Sequence, residues 1–560
     1  MEEDKRNTVL FFAISMLIML GYPYFFENRQ VTNPTIVQDV QKSENAVIPI
    51  FTPKNTVPVR RTEAKNIRVE SGNLSGVISS LGIEINDIKL KKYHESSDNK
   101  ENVQIFANDN RDCFARSGWA SDDPNVILPD ENSCWETNSS LLSENSPVTL
   151  TWDNGNGLIF EKQISVDKDF LLTITDKVRN CGSRTASLKA VTVISRQFEV
   201  SNGSMNSYEG PLGYINNKLE EIKYEDIIEK RGIVHKTSGG WSGVTDKYWL
   251  TAFISDQKKN YTFIYKHFVK EGKNICRIES TAEAIKIAPS SEISETHNLF
   301  VGAKEINTLD MYEEKLKVQH FDLAIDFGWL YILTKPLLYA LAYAKDFVGN
   351  MGLGILLITF LIKLLLFPLA NKSYRSMNRM SALQPKMQEL RKKYEGDNAK
   401  LGAAISEMYK KEKINPLGGC LPILLQSPVL FALYKVLYIS IEMRQAPFIW
   451  WIHDLSAPDP LSIFNLFGLI PVNLPGFLQI GIWPLLMGLT MLLQQKMSPA
   501  PADPAQANMM MIMPIMFTFM FAQLPAGLVI YWTFSNVLGI AQQYIIKAAD
   551  KKQSEKVEKS

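Results

Sequence analysis

The feature that most limits what this chain can become is the distribution of its apolar residues. Runs almost free of charge cover residues 9–26, 351–370, 417–441, 479–497, 509–523 and 526–547, while the stretch between the first run and the rest is polar. A bilayer core needs roughly 20 apolar residues in a helix, so each run is a candidate span. The mean hydropathy of −0.08 and net charge of +1 hide this division. No domain carries the basic excess that nucleic-acid binding requires, so no nucleic-acid partner is expected.

Six spans put both termini on one side, and charge decides which side. Residues 371–417 hold eleven Lys/Arg against five Asp/Glu, whereas residues 442–477 hold one basic residue, Arg444, against three acidic ones. Positive loops stay in the cytoplasm, so the expectation is a multi-pass protein of a bacterial inner membrane, with cytoplasmic termini and a large periplasmic domain. For residues 1–26 a signal peptide is the rival reading. The run exceeds the ~7–15 residues of a signal core and is followed by Glu27, Asn28 and Arg29, which favours an uncleaved anchor.

Residues 27–65 lack any helical period and read as a tether. From Ile67 short alternating segments recur: from Ile67, over 82–90, 158–166 and 170–175, and at 188–195. Turn signals such as Asp153-Asn-Gly-Asn-Gly157 separate them. Such a pattern predicts a periplasmic antiparallel β-sandwich over residues 66–320. A sugar hydrolase would need two convergent carboxylates, which one sequence does not single out, so binding or scaffolding is the favoured reading. Six scattered histidines show no metal spacing and no glycine loop suits a phosphate; no cofactor or metal is expected. Cys113 and Cys134 lie outside the cytoplasm, where a bridge between them remains open.

Residues 321–348 are apolar but interrupted by Asp326, Lys335, Pro336, Lys345 and Asp346, which predicts an amphipathic helix in the outer interface. The C-terminal part then reads as a five-helix transmembrane core. Its second span covers 350–370, a cytoplasmic helical hairpin 371–416, the third span 417–441, and a periplasmic loop 442–477. The fourth, fifth and sixth spans cover 478–497, 509–523 and 526–547, before a tail at 548–560. Within the hairpin, Pro385 breaks or starts the first helix and Gly396-Asp-Asn makes the turn.

Lys363 is the most informative residue. It lies about seven residues, roughly 10 Å, from the cytoplasmic end of its span. A lysine at the centre of a span costs about 2.5–3.5 kcal/mol on insertion scales and usually lines a wet cavity; the competing reading is a stem that snorkels to the headgroups. Thr359 is one turn away, and Gln426 lies at similar depth in the third span. In the last span Tyr531 sits beside a stripe that includes Trp532, Ser535, Asn536, Gly539 and Gln543; helix-packing glue is the alternative there. Lys435 reads as snorkelling to the outer interface. Met509, Met513, Met516 and Met520 give the fifth span flexible thioethers, suited to sliding apolar clients or simply to facing lipid.

Several segments together resemble the YidC/Oxa insertases. They are Leu383-Gln-Pro-Lys-Met387, Asn415-Pro-Leu-Gly-Gly-Cys-Leu-Pro-Ile-Leu-Leu-Gln-Ser-Pro428, Arg444-Gln-Ala-Pro-Phe448, Trp451-Ile-His-Asp-Leu-Ser456, Gln494-Gln-Lys-Met-Ser-Pro499, Pro525-Ala-Gly-Leu and Ser535-Asn536. Trp152-Asp-Asn-Gly and Gly239-Gly-Trp-Ser-Gly-Val-Thr-Asp-Lys-Tyr-Trp249 look like the Gram-negative branch. The resemblance implies a hydrophilic groove open to the cytoplasm and to lipid, with Lys363 where relatives usually carry arginine and Trp532, beside Tyr531, at the family's aromatic position. It implies a non-enzymatic insertase and chaperone. Its expected partners are nascent membrane proteins, a Sec-type translocon and membrane lipids, with the ribosome a further candidate. A departure is the apolar segment 461–477, where relatives are shorter. A transporter would show paired repeats with broken helices, and none is evident.

Overall fold

The computed structural model describes residues 64–96, 101–106, 112–199, 207–394, 396–412, 421–465, 479–497 and 504–558. The expected anchor, nearly all of the tether and most of segment 461–477 lie outside the described residues, as does Cys420.

Strands occupy the chain from Asn66 to Ala303 in two large sheets. One sheet runs in the order Ile233–Ser238, Asn260–Lys270, Lys273–Ala282, Ala186–Phe198, Phe114–Ala120, Ile85–His94, Leu74–Ser79, Asn66–Glu70, Leu141–Ser143. The other runs Lys218–Glu221, Gly210–Ile215, Trp241–Thr245, Trp249–Ile254, Ser291–Ala303, Leu171–Asn180, Leu158–Val166, Val148–Asp153, Glu136–Thr137. The alternation read in the sequence is the alternation of burial: in Leu158–Val166 the residues Leu158, Phe160, Ile164 and Val166 are buried, as a period of two demands. The predicted antiparallel order holds with one departure, since Asn66–Glu70 pairs in parallel with Leu141–Ser143. The turn after Asp153 closes as expected, with Asp153 and Asn154 side chains accepting from the Gly155 and Asn156 amides and Gly155 at φ +68°.

Aromatic rings fill the space between the sheets, including Phe160, Phe170, Trp241, Phe263, Tyr265 and Phe300. A buried ion pair, Lys162–Asp176, joins neighbouring strands of one sheet and meets Ser117 of the other. The Ser117 hydroxyl donates to Asp176 at 2.5 Å and accepts from Lys162 at 2.7 Å, so each charge keeps hydrogen-bonding partners away from water. Cys113 and Cys134 are each half-buried.

A short helix, α1 (Tyr224–Glu229), interrupts the strands, and α2 (Ile306–Leu316) ends the domain. The expected interfacial helix begins later than its apolar composition suggested. A 3-10 turn at Phe321–Ala324 precedes α3 (Tyr331–Val348). At Gly349 (φ +74°) the chain bends by 119° into α4 (Met351–Leu365). The helices that follow are α5 (Phe367–Ala382), α6 (Gln384–Lys393), α7 (Asn398–Lys411), α8 (Leu421–Ile439), α9 (Ile482–Met497), α10 (Pro504–Phe521) and α11 (Ala526–Glu558). Pro385 stands in the first turn of α6 and Gly396 (φ +90°) in the turn before α7, whose N-cap is Asp397. Residues 548–558, read as a tail, continue α11. Among the described residues no single helix is long and apolar enough to cross a membrane, whereas α3 and α4 pass that test together.

Burial pushes the Cys276 thiol up to about 12, while Cys181 is exposed. In the folded protein at neutral pH a maleimide should label Cys181 and leave Cys276 untouched. Thiolate content alone slows Cys276 by at least about a thousand-fold. Mass spectrometry before and after denaturation checks this; native labelling of Cys276 at a comparable rate contradicts the burial.

Candidate functional site

The site is built from the outer ends of the helices inward. Asn350 caps α4: its side-chain oxygen accepts from the Leu353 amide at 3.0 Å, satisfying one of the orphan donors of a helix start. Its amide nitrogen donates to the carbonyls of Pro447 and Phe448 at 3.2 and 3.1 Å. Phe448 lies so close to the helix that a Cβ on Gly352 would fall 2.0 Å from its ring, so only glycine fits. The same loop reaches α11, where the Ala526 and Gly527 amides donate to the carbonyls of Ala457 and Leu455. Trp451 donates its indole N–H to the buried Asp459 carboxylate, which also accepts from the Trp483 amide at the start of α9. Residues 444–459 therefore stitch together the outer ends of α4, α9 and α11.

Further in, Thr359, Ile362, Lys363 and Leu366 of α4 and its C-cap, Val429 of α8, and Tyr531 and Ser535 of α11 line one half-enclosed pocket. It is narrow, with room inside for about one water. Thr359 donates to the Ile355 carbonyl of its own helix at 2.6 Å, which leaves its oxygen lone pairs for the pocket. Lys363 is partly buried, and among the described residues no carboxylate lies within ion-pair distance of it. The pocket thus combines one cation, unpaired with any carboxylate among the described residues, with three hydroxyls.

The remaining sequence candidates lie elsewhere. Trp532 turns away to pack edge-on against Phe521 at 4.7 Å, with Phe517 at 6.0 Å. Asn536 is buried and donates to Thr490 of α9 at 3.2 Å, tying α9 to α11. Gly539 faces the Gln494 amide and the Tyr374 hydroxyl. The side chains of Gln426 and Met509 lie outside the described residues. Met516 and Met520 share the exposed face of α10 with Ile512, Ile515 and Phe519, while Met513 is half-buried. Lys435, read as a snorkelling side chain, instead pairs with Asp326 at 2.7 Å. Sequence reasoning missed Ile362, Leu366 and Val429 because a search for polar groups passes over apolar walls. For Ile362 and Leu366 the signal was their place beside Lys363 on α4 and its C-cap; Val429, on α8, carried none.

Comparison with known proteins bears on this arrangement. Residues 343–554 match the family described as 60Kd inner membrane protein, and residues 66–340 match the YidC periplasmic domain. A Rickettsia bellii protein named membrane protein insertase YidC is 43% identical over 562 residues, covering 98% of this chain and all of that one. A Rickettsia felis protein of the same name is 42% identical over 556 residues, covering 98% and 99%. A solved structure titled as an active YidC insertase covers 91% of this chain and 99% of its own at 16% identity and TM-score 0.36. A galactose mutarotase related enzyme from Lactobacillus acidophilus covers 42% and 97% at 12% and 0.32. Likenesses of that size decide nothing about this chain. The two family matches define an inner-membrane protein with a periplasmic domain. The chain belongs to the YidC family of membrane protein insertases. The family's named activity is insertion, which sets aside the sugar-hydrolase alternative for the β domain.

Gly352→Leu should unseat Phe448 and lower the thermal unfolding midpoint in detergent. The overpacking cost is about 1–3 kcal/mol. Gly402→Leu, at an open position on α7, serves as the control that leaves the midpoint in place.

Proposed function

We propose that this chain integrates nascent inner-membrane proteins and helps them fold, receiving their polar or acidic flanks at the Lys363 pocket. The observation that carries the reading is the lysine itself: a cation among apolar helices, beside Thr359, Tyr531 and Ser535, with no carboxylate paired to it among the described residues. At an effective dielectric of about 20, an opposite charge at 4 Å gains about 4 kcal/mol, enough to draw an acidic flank inward. The client's apolar helix would meanwhile slide along the exposed face bearing Met516 and Met520 and partition into lipid. No nucleotide is needed, since hydrophobic transfer and the membrane potential supply the drive.

Burial supports a multi-pass arrangement. Leu361, Leu364 and Leu365 on α4, Leu489 and Leu493 on α9, and Ile512 and Ile515 on α10 are all exposed, an outward apolar surface that lipid would cover. The 119° bend supports α3 lying along the outer interface while α4 enters the bilayer. In this reading both termini are cytoplasmic, and the basic α6–α7 hairpin meets anionic headgroups and the emerging chain. The protein works alone or beside a Sec-type translocon, with the ribosome as a further contact.

Insertion of one client carrying zero, one or two acidic flanking residues tests the pocket. Lys363→Arg is expected to be tolerated. Lys363→Glu should fail most severely, with a defect that grows with client charge, because like charges repel in a site of lowered dielectric. Lys363→Ala should still insert the neutral client. A flat response across the series at matched protein levels removes the electrostatic role. In a separate arm, deletion of residues 374–413 should sharply reduce insertion while the spans still assemble. Normal insertion by that protein would leave the hairpin as a topology signal only.

A further inference from the structure

The β domain does not hang loosely above the helices; its contacts converge on the outer half of α8. The Asp326 carboxylate lies between the 3-10 turn and α3. One of its oxygens accepts from the Tyr208 amide at 3.1 Å and from the Lys435 ammonium at 2.7 Å, and the other accepts from the Gly328 amide at 3.0 Å. Both side chains are about four-fifths withdrawn from water, 18% and 21% exposed, so the pair is shielded more than a surface salt bridge is. One turn along, the Lys247 ammonium sits 3.7 Å from the centre of the Tyr438 ring. Lys435 and Tyr438 are three residues apart and therefore share a face of α8. Just past the helix, Arg444 donates to the Glu95 carbonyl at 2.8 Å and lies over the Trp249 ring, while Gln445 donates to the His94 carbonyl at 3.0 Å.

These contacts hold the helix at two heights and continue into the segment beyond it. Val429, a wall of the Lys363 pocket, lies six residues from Lys435 on the same helix, about 9 Å along its axis. Pro428 directly follows on the cytoplasmic side. Lacking an N–H, it breaks the helix's hydrogen-bond ladder where a kink can form. What fixes Lys435 therefore fixes the rotation and depth of the segment that carries Val429.

We propose that Asp326 and Lys435 are positioning residues for insertion: through their ion pair the segment before α3, tied to the β domain by the Tyr208 amide, holds the outer half of α8 so that Val429 closes the pocket around Lys363. This rests on the pocket reading given above. Neither residue touches the client. Their effect reaches it only through the pocket wall, so it falls mainly on clients that need Lys363.

The test uses the full-length protein in proteoliposomes, with the neutral and the doubly acidic client run in parallel at matched protein levels. Lys435→Met and Asp326→Asn should each slow the acidic client by about five-fold or more and the neutral client far less. The double variant should be no slower than the worse single one, and Lys435→Arg should stay within about two-fold of the parent. Equal slowing of both clients together with a lowered unfolding midpoint means a general loss of stability and overturns the proposal. So do parental rates in both single variants, or additive defects in the double variant. Lys363→Glu run alongside separates the two ideas. If it fails while Lys435→Met and Asp326→Asn insert at the parental rate, the clamp alone is wrong. If Lys363→Glu itself inserts acidic clients normally, the pocket reading is wrong and the clamp falls with it.

Discussion

Among the described residues no carboxylate lies beside the Lys363 ammonium, and a cation so placed among apolar helices is costly to hold. Removing the charge from water is offset by nearby hydroxyls and by whatever water the cavity admits. Thr359, Tyr531 and Ser535 supply the hydroxyls, and α4, α8 and α11 each contribute a wall. A neutral residue at 363 would pack as easily, and a carboxylate at ion-pair distance would cancel the charge. Among the described residues no carboxylate lies at that distance.

Holding such a site requires the surrounding helices to stay in register, and the loop after α8 does much of that work. Asn350, Phe448, Leu455 and Asp459 satisfy helix ends that would otherwise present bare amides, and they do so while packing rings and backbone together. On the same side the β domain reaches down through Tyr208, Lys247 and Asp326. Its own core holds edge-to-face aromatic rings and an internal ion pair whose partners are hydrogen-bonded. The periplasmic and helical halves are thus mechanically continuous.

How much of this was readable in the sequence follows from the range of each interaction. The strands announced themselves because a half-buried sheet imposes a period of two, and Leu158–Val166 shows that period in both sequence and burial. Lys363, Thr359 and Ser535 were found because polar groups are rare in apolar runs. The stripe on the last span was less legible. Spacing puts Trp532, Ser535 and Asn536 near one another, but each meets a different neighbour: aromatic rings of α10, the pocket, and Thr490 of α9. The partner of Lys435 was not legible because its counter-charge lies 109 positions earlier, at Asp326, and pattern alone cannot pair residues so far apart. That the tail continues the last helix was not legible from hydropathy, because apolar character ends near Lys547 while helix-forming residues, Ala, Lys, Gln and Glu, continue to Glu558 without Gly or Pro.

That continuation has a geometric result. A helix of 33 residues is about 50 Å long, and a hydrocarbon core takes up roughly 30 Å of it. In the proposed orientation some 20 Å of α11 stands clear of the bilayer as a helical post, with Lys551, Lys552 and Lys556 in its last turns. Because the post is one piece with the turn that carries Tyr531 and Ser535, a torque applied at the cytoplasmic tip is delivered at the pocket without an intervening joint. The chain's end is a lever, not a leash.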